Sequence, residues 1–268
     1  MPRTRANGVE LYYELQGQGK ETVIFANGVL GTTAGWLPQM HLFSKKYRIL
    51  LYDGRNQGRS DKPSGDCTLD LHAEDLSALM AELKIGRAHI VGVSYGGEIG
   101  MTMGIRYPER VQSLVISNSV SQIDPLLEAK IEAWLMAARL KDAKLFFQVS
   151  APDIFSEEFI RKNPSFMRMI EEQYAKLDYD AVIRLIARFR EFNITAELAQ
   201  IRVPALVIAS EKDTLKPVKY SELIHKKIAD SELFVVSDAG HALTYEKPQE
   251  FNTLVLGFLA KQELAQAG

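Results

Sequence analysis

Short apolar runs alternate with segments of helical spacing along most of this 268-residue chain. The runs at 9–15, 22–26, 48–52, 88–93, 113–117, 205–209 and 232–236 read as strands. Between them, 36–45, 69–83, 98–106, 218–228 and 248–264 place apolar residues three and four apart, the spacing of one helix face. Near-continuous apolar strands separated by amphipathic helices predict an α/β chain, with a mostly parallel sheet covered on both faces. The rhythm stops after Asn118. From Gln122 to Leu198 only helical pattern appears, and Pro204 restarts the strands. No Gly/Ser-rich linker flanks that block. It therefore reads as a helical cap inserted over the strand ends, dividing the chain into a core of 1–120 and 199–268 and a cap of 121–198.

One junction carries a sharper constraint. The strand 88–93 meets the helical segment through Gly92-Val93-Ser94-Tyr95-Gly96-Gly97. A strand-to-helix turn this tight needs small residues beside the serine, because the backbone passes close to its neighbours. It lifts the Ser94 hydroxyl clear of the sheet and sets the following N–H groups at a helix N-terminus, where developing negative charge is stabilised.

A serine hydroxyl is a weak nucleophile until a base takes its proton and a third group orients that base. Asp213 follows the run 205–209, and His241 follows the run 232–236. Both thus belong at the carboxyl edge of the sheet with Ser94, the edge where ligand chemistry collects in open parallel sheets. The order Ser94, Asp213, His241 is the one this architecture uses. Glu211, Asp238 and Asp124 also lie near strand ends, and Asp213 is preferred because its loop is where such a fold holds its acid. His41, His72, His89 and His225 have no comparable setting and read as structural or surface residues. Two N–H donors are needed for an oxyanion. One is the backbone N–H of Tyr95, and the other is assigned to Val29 in the loop Ala26-Asn27-Gly28-Val29-Leu30-Gly31.

Composition removes other classes. With 32 basic and 34 acidic residues and a formal net charge of −2, the chain offers no electrostatic footprint for nucleic acid. No apolar run approaches the roughly 20 residues of a membrane helix, and Met1-Pro2-Arg3-Thr4-Arg5 opens no secretory apolar stretch. The single cysteine, Cys67, has no internal partner, so a reducing cytoplasm is the expected compartment. No metal-ligand spacing is present, and neither a metal nor a cofactor is expected. The expected partner is a small-molecule acyl substrate, for a monomer or homodimer with no nucleic-acid or membrane role.

Taken with these motifs, nearly the whole chain resembles the α/β-hydrolase superfamily, whose fold is an eight-stranded, mostly parallel sheet with helices on both faces and, in many members, an inserted helical cap. Asp53-Gly54-Arg55-Asn56-Gln57-Gly58-Arg59-Ser60 is similar to that family's Asp-x-Arg-Gly-x-Gly-x-Ser turn. The resemblance implies Ser94 as nucleophile, His241 as general base and Asp213 as its orienter. Serine at this turn implies acyl chemistry, whereas relatives that attack alkyl carbon place aspartate there. The chain departs from the pattern twice. Asn27-Gly28 stands where capped members carry His-Gly, and Asn56 and Gln57 replace the Gly-His of the second turn. Asn27 and Gly28 are expected at the substrate, with the Asn27 amide holding the loop as a histidine ring would. The Asn-Gly form, followed by Thr32-Thr33-Ala34-Gly35-Trp36, is also similar to rhamnolipid-precursor acyltransferases, which act on hydroxyacyl thioesters.

The activity so implied is a serine hydrolase cleaving a carboxylic ester or lactone through an acyl-enzyme. The same triad would also serve an acyltransferase or thioesterase, a C–C bond hydrolase, an amidase or a perhydrolase, and a ligand receptor would keep the pocket without turnover. Aromatic and Met residues of the cap, among them Trp134, Phe146, Phe155 and Phe166, either line an acyl pocket or pack the cap on the body. Arg139, Arg168, Arg184, Arg188 and Arg190 read as a solvated helix face rather than a carboxylate clamp.

Overall fold

The computed structural model describes residues 2–267. Among them, β1 (Arg3–Ala6), β2 (Val9–Gln16), β3 (Thr22–Ala26), β4 (Arg48–Tyr52), β5 (Ala88–Val93), β6 (Val111–Ser117), β7 (Ala205–Ser210) and β8 (Ser231–Val236) form one eight-stranded sheet, ordered β1-β2-β4-β3-β5-β6-β7-β8. The β1–β2 and β2–β4 pairs are antiparallel, and every other pair is parallel. The helices in chain order are α1 (Leu37–Phe43), α2 (Leu69–Glu82), α3 (Tyr95–Arg106), α4 (Pro125–Arg139), α5 (Ala143–Ile154), α6 (Glu157–Lys162), α7 (Pro164–Tyr174), α8 (Tyr179–Phe189), α9 (Val218–Lys227), α10 (Leu243–Glu246) and α11 (Pro248–Ala267). This is the expected α/β-hydrolase architecture.

Successive side chains of a strand point to opposite faces, so the apolar runs split into two cores. Ile24, Leu50, Ile90, Leu114 and Val207 face one side with α2, α3 and α9. Val23, Ile49, Val91, Val115 and Leu206 face the other with α1 and α11. Strand β1 has no counterpart among the apolar runs. Its residues, Arg3-Thr4-Arg5-Ala6, are mostly polar, as suits a sheet edge. It is joined to β2 by Asn7-Gly8, both at positive φ (47° and 81°), as a two-residue hairpin turn requires. At the opposite edge β8 leaves Phe234 and Val235 exposed.

Helices α4–α8 all fall between β6 and β7. Asp124, Asp142, Ser156 and Asp178 start four of them, each side chain accepting the N–H of the third residue of its helix. Helix α8 buries Val182, Leu185, Ile186 and Phe189 on one face. Of the arginines read as solvated, Arg139, Arg168, Arg188 and Arg190 are exposed. Arg184 is not. It is half-buried and donates to Asn56 Oδ1 at 3.1 Å and to the Lys62 carbonyl at 3.3 Å, which ties α8 to the loop after β4. No helix among the described residues is long and apolar enough to cross a membrane.

Candidate active site

Ser94 joins β5 to α3 with φ 54° and ψ −118°, a conformation that costs an L residue about 1–3 kcal/mol. The surroundings hold it there. Its N–H donates to the Ser117 carbonyl at 2.8 Å, and its carbonyl accepts from Ser119 Oγ at 2.9 Å. Glycine is required on either side. A Cβ at Gly92 would sit 2.2 Å from the Gly96 carbonyl oxygen, and one at Gly96 would sit 2.0 Å from that of Ala26. Strand β5, the turn and the end of β3 therefore pack backbone to backbone, and Ser94 is left at their crossing.

Asp213 lies just past β7, and His241 just past β8. Their side chains meet, with His241 Nδ1 2.7 Å from Asp213 Oδ2. With Nδ1–H donated to the carboxylate, Nε2 keeps the basic lone pair. Burial pushes the Asp213 carboxyl up. The opposing effects prevail, namely the His241 imidazole, the Lys216 N–H at 2.7 Å and the Asn118 amide at 2.8 Å, and hold it below its ordinary value. The other acids near strand ends do different work. Asp124 caps α4 and pairs with Lys219, and Glu211 accepts the Asp238 N–H at the surface. Among the histidines, His72 and His89 are buried on Cys67 and Ser113, while His41 and His225 are exposed.

The insertion bears on the histidine loop. A Cβ at Gly240 would lie 2.5 Å from Ser156 N. Glu246 of α10 accepts from both Gly240 N–H and Ser156 N–H, and Ala242 N–H donates to the Ile154 carbonyl. Ser94 and His241 line a common cavity of about 930 Å³ between the strand-end loops and the inserted helices, with Asn27, Gly28 and Val29 also in its wall.

The loop after β3 is braced from three sides. Asn27 Nδ2 donates to the Tyr52 carbonyl at 2.8 Å, and Asn27 Oδ1 accepts from Trp36 Nε1 at 2.7 Å. Gln57 Nε2 donates to the Gly28 carbonyl at 2.8 Å and to that of Val29 at 3.2 Å. Thr33 N–H donates to Asp53 Oδ1 at 2.7 Å. Among the described residues, the N–H groups of Val29 and Tyr95 have no partner.

Three contributors had no signature in the chain. Asn118, at positive φ just past β6, donates to both Ser210 Oγ and Asp213 Oδ2. Glu98 and Lys216 form a buried pair at 2.9 Å beneath the site, with Glu98 Oε1 also taking the Val120 N–H. Glu98 Oε2 has no partner, and burial raises the Glu98 carboxyl against the pull of the Lys216 ammonium.

The family model described as the alpha/beta hydrolase fold matches residues 21–248. The chain is 31% identical over 258 residues to a protein of Caulobacter sp. (strain K31) with the provisional name carbamate hydrolase RutD, covering 93% of this chain and 96% of that one. It superposes on the crystal structure of MGS-M2, an alpha/beta hydrolase enzyme from a Medee basin deep-sea metagenome library, with TM-score 0.92 and 28% identity over 97% of each chain. The enol-lactonase from Burkholderia xenovorans LB400 gives TM-score 0.89 and 25% identity, covering 97% of this chain and 100% of that one. A strand-turn-helix serine, a His–Asp pair on two further strand ends and a family model spanning most of the sequence lead to one conclusion: this chain belongs to the α/β-hydrolase family.

Proposed function

We propose that this protein is a serine hydrolase that cleaves a carboxylic ester or lactone, with residues 121–198 as a lid over the site. The observation that carries the reading is the Asp213–His241 hydrogen bond opening onto the same cavity as Ser94. Its relatives' names, a carbamate hydrolase and an enol-lactonase, point to substrates in which a carbonyl carbon bears a heteroatom. In this reading His241 Nε2 takes the Ser94 proton as Oγ bonds to the carbonyl carbon. The oxyanion is held by the free N–H groups of Val29 and Tyr95. As the carbon–oxygen bond breaks, His241 gives that proton to the departing alcohol. Water then attacks the acyl-Ser94 ester, its proton passes through His241 to Oγ, and the acid leaves. The sum is ester plus water to acid plus alcohol. Asp213 keeps Nδ1 protonated and stabilises the imidazolium throughout.

Ser94→Ala is the direct test. Turnover of a p-nitrophenyl ester falls by about 10⁴–10⁶ if Ser94, His241 and Asp213 act as one unit. Retention of more than about a twentieth of wild-type turnover, far outside that range, rejects the assignment. Product analysis in the presence of competing alcohols separates hydrolysis from acyl transfer.

A further inference from the structure

Two hollows of very different size meet at Ser94. The outer one is the cavity of about 930 Å³ that carries His241 in its wall. The inner one measures about 40 Å³ and is walled by Tyr95, Leu127, Ile131, Ile186 and Phe189. Val29, Ser94, Trp134 and Leu215 belong to both, so the nucleophile stands at their junction. His241 lines only the outer hollow and Tyr95 only the inner one.

That asymmetry sorts the two halves of an ester. The leaving oxygen must receive its proton from His241, so the alcohol half lies on the outer side. The oxyanion is directed at the Val29 and Tyr95 N–H groups. The remaining substituent of the tetrahedral carbon, the acyl chain, then has the inner hollow. A water-sized group needs about 10–15 Å³ of such volume, so the inner hollow takes about three groups of that size. Its walls are aliphatic and aromatic, and Lys216, the charged residue among them, has its ammonium tied to Glu98 Oε1 at 2.9 Å. The outer hollow has the volume of a site for a large organic molecule, and Trp36, Ile154, Phe155, Phe166, Ile170 and Leu177 make much of its wall apolar.

Resting on the Ser94–His241 reading above, we infer that the preferred substrates are esters of a very short hydrocarbon acid, acetyl or propionyl, with a bulky, largely apolar alcohol. A long acyl chain would need the outer hollow, which would carry its leaving group away from His241. The chemistry of the step is unchanged; only which half of the ester enters which hollow is specified.

Two substrate series test it. Across p-nitrophenyl esters from acetate to octanoate, kcat/KM is highest for acetate or propionate and falls at least about tenfold by hexanoate. Across acetates from ethyl to menthyl alcohol it rises by about tenfold or more. Ile131→Ala widens the inner hollow and moves the acyl optimum to longer chains while the alcohol preference stays put. Ile131→Val makes the same move in smaller measure if the alanine variant folds poorly. Wild-type preference for hexanoate or octanoate, with Ser94 still labelled by a fluorophosphonate, overturns the partition alone. So does an acyl profile that neither Ile131 variant moves. No labelling and no turnover of any ester overturns the hydrolase reading, and the partition with it.

Discussion

Gln57→Ala tests how the oxyanion donor is aimed. The Gly28 carbonyl and the Val29 N–H belong to one planar trans peptide, so they point in opposite directions. Fixing the carbonyl on the Gln57 side therefore turns the N–H away from Gln57. Two donors hold that carbonyl, Gln57 Nε2 at 2.8 Å and Gly31 N–H at 2.9 Å. Gln57 Nε2 also reaches the Val29 carbonyl at 3.2 Å, and Gln57 Oε1 accepts the Gly54 N–H. Complete loss of one oxyanion donor costs about 10²–10³ in kcat, which is the ceiling. Because Gly31 remains, the expected loss is about 10–10², or about 1.4–2.7 kcal/mol of transition-state stabilisation, with KM within about threefold. The three lost bonds at about 0.5–1.5 kcal/mol each lower folding stability by about 1.5–4.5 kcal/mol. The assay is steady-state kinetics on p-nitrophenyl acetate, normalised to sites titrated with a fluorophosphonate so that unfolded protein does not count. Gln57→His, which restores a ring N–H donor, recovers most of kcat. A Gln57→Ala enzyme with wild-type kcat per titrated site would refute the reasoning.

Two other perturbations follow from buried charge. Lys216→Met leaves Glu98 buried without its cation and costs about 3–5 kcal/mol by denaturant titration, whereas Glu98→Gln with Lys216→Met recovers most of that loss because the neutral amide still accepts the Val120 N–H. His72 is held down to about 3 by burial and then by the nearby Arg55 guanidinium, against about 6.5 in the unfolded chain. Between those values the unfolded chain binds a proton that the fold excludes, so this contribution to stability is full above about pH 6.5 and declines toward pH 3. Urea titrations at pH 7 and pH 5 show a smaller acid loss for His72→Gln than for wild type; an unchanged difference contradicts the assignment.

What was legible in the chain is what sterics write locally. The elbow could be read because Gly92 and Gly96 have backbone where a Cβ would be. The loops of Asp213 and His241 could be located because each follows an apolar strand of a two-faced sheet. Strand β1 was missed because an edge strand needs no apolar run, and its signal was the Asn7-Gly8 turn instead. Asn118, Glu98 and Lys216 were invisible for a different reason. Their partners stand 95, 22 and 118 positions away (Asp213, Val120 and Glu98), so nothing in local spacing marks them. Gln57 was visible only as a departure from a family pattern. Its role in bracing the Gly28 carbonyl appears once the loops after β3 and β4 are brought together.

The central claim is that His241, oriented by Asp213, makes Ser94 nucleophilic. The most direct measurement is the rate and position of fluorophosphonate labelling, read by peptide mass spectrometry, in wild type and His241→Ala. The account predicts a single adduct on Ser94, formed at least about 10³-fold more slowly without the imidazole. An adduct on another residue, or equal rates in the two proteins, would contradict it.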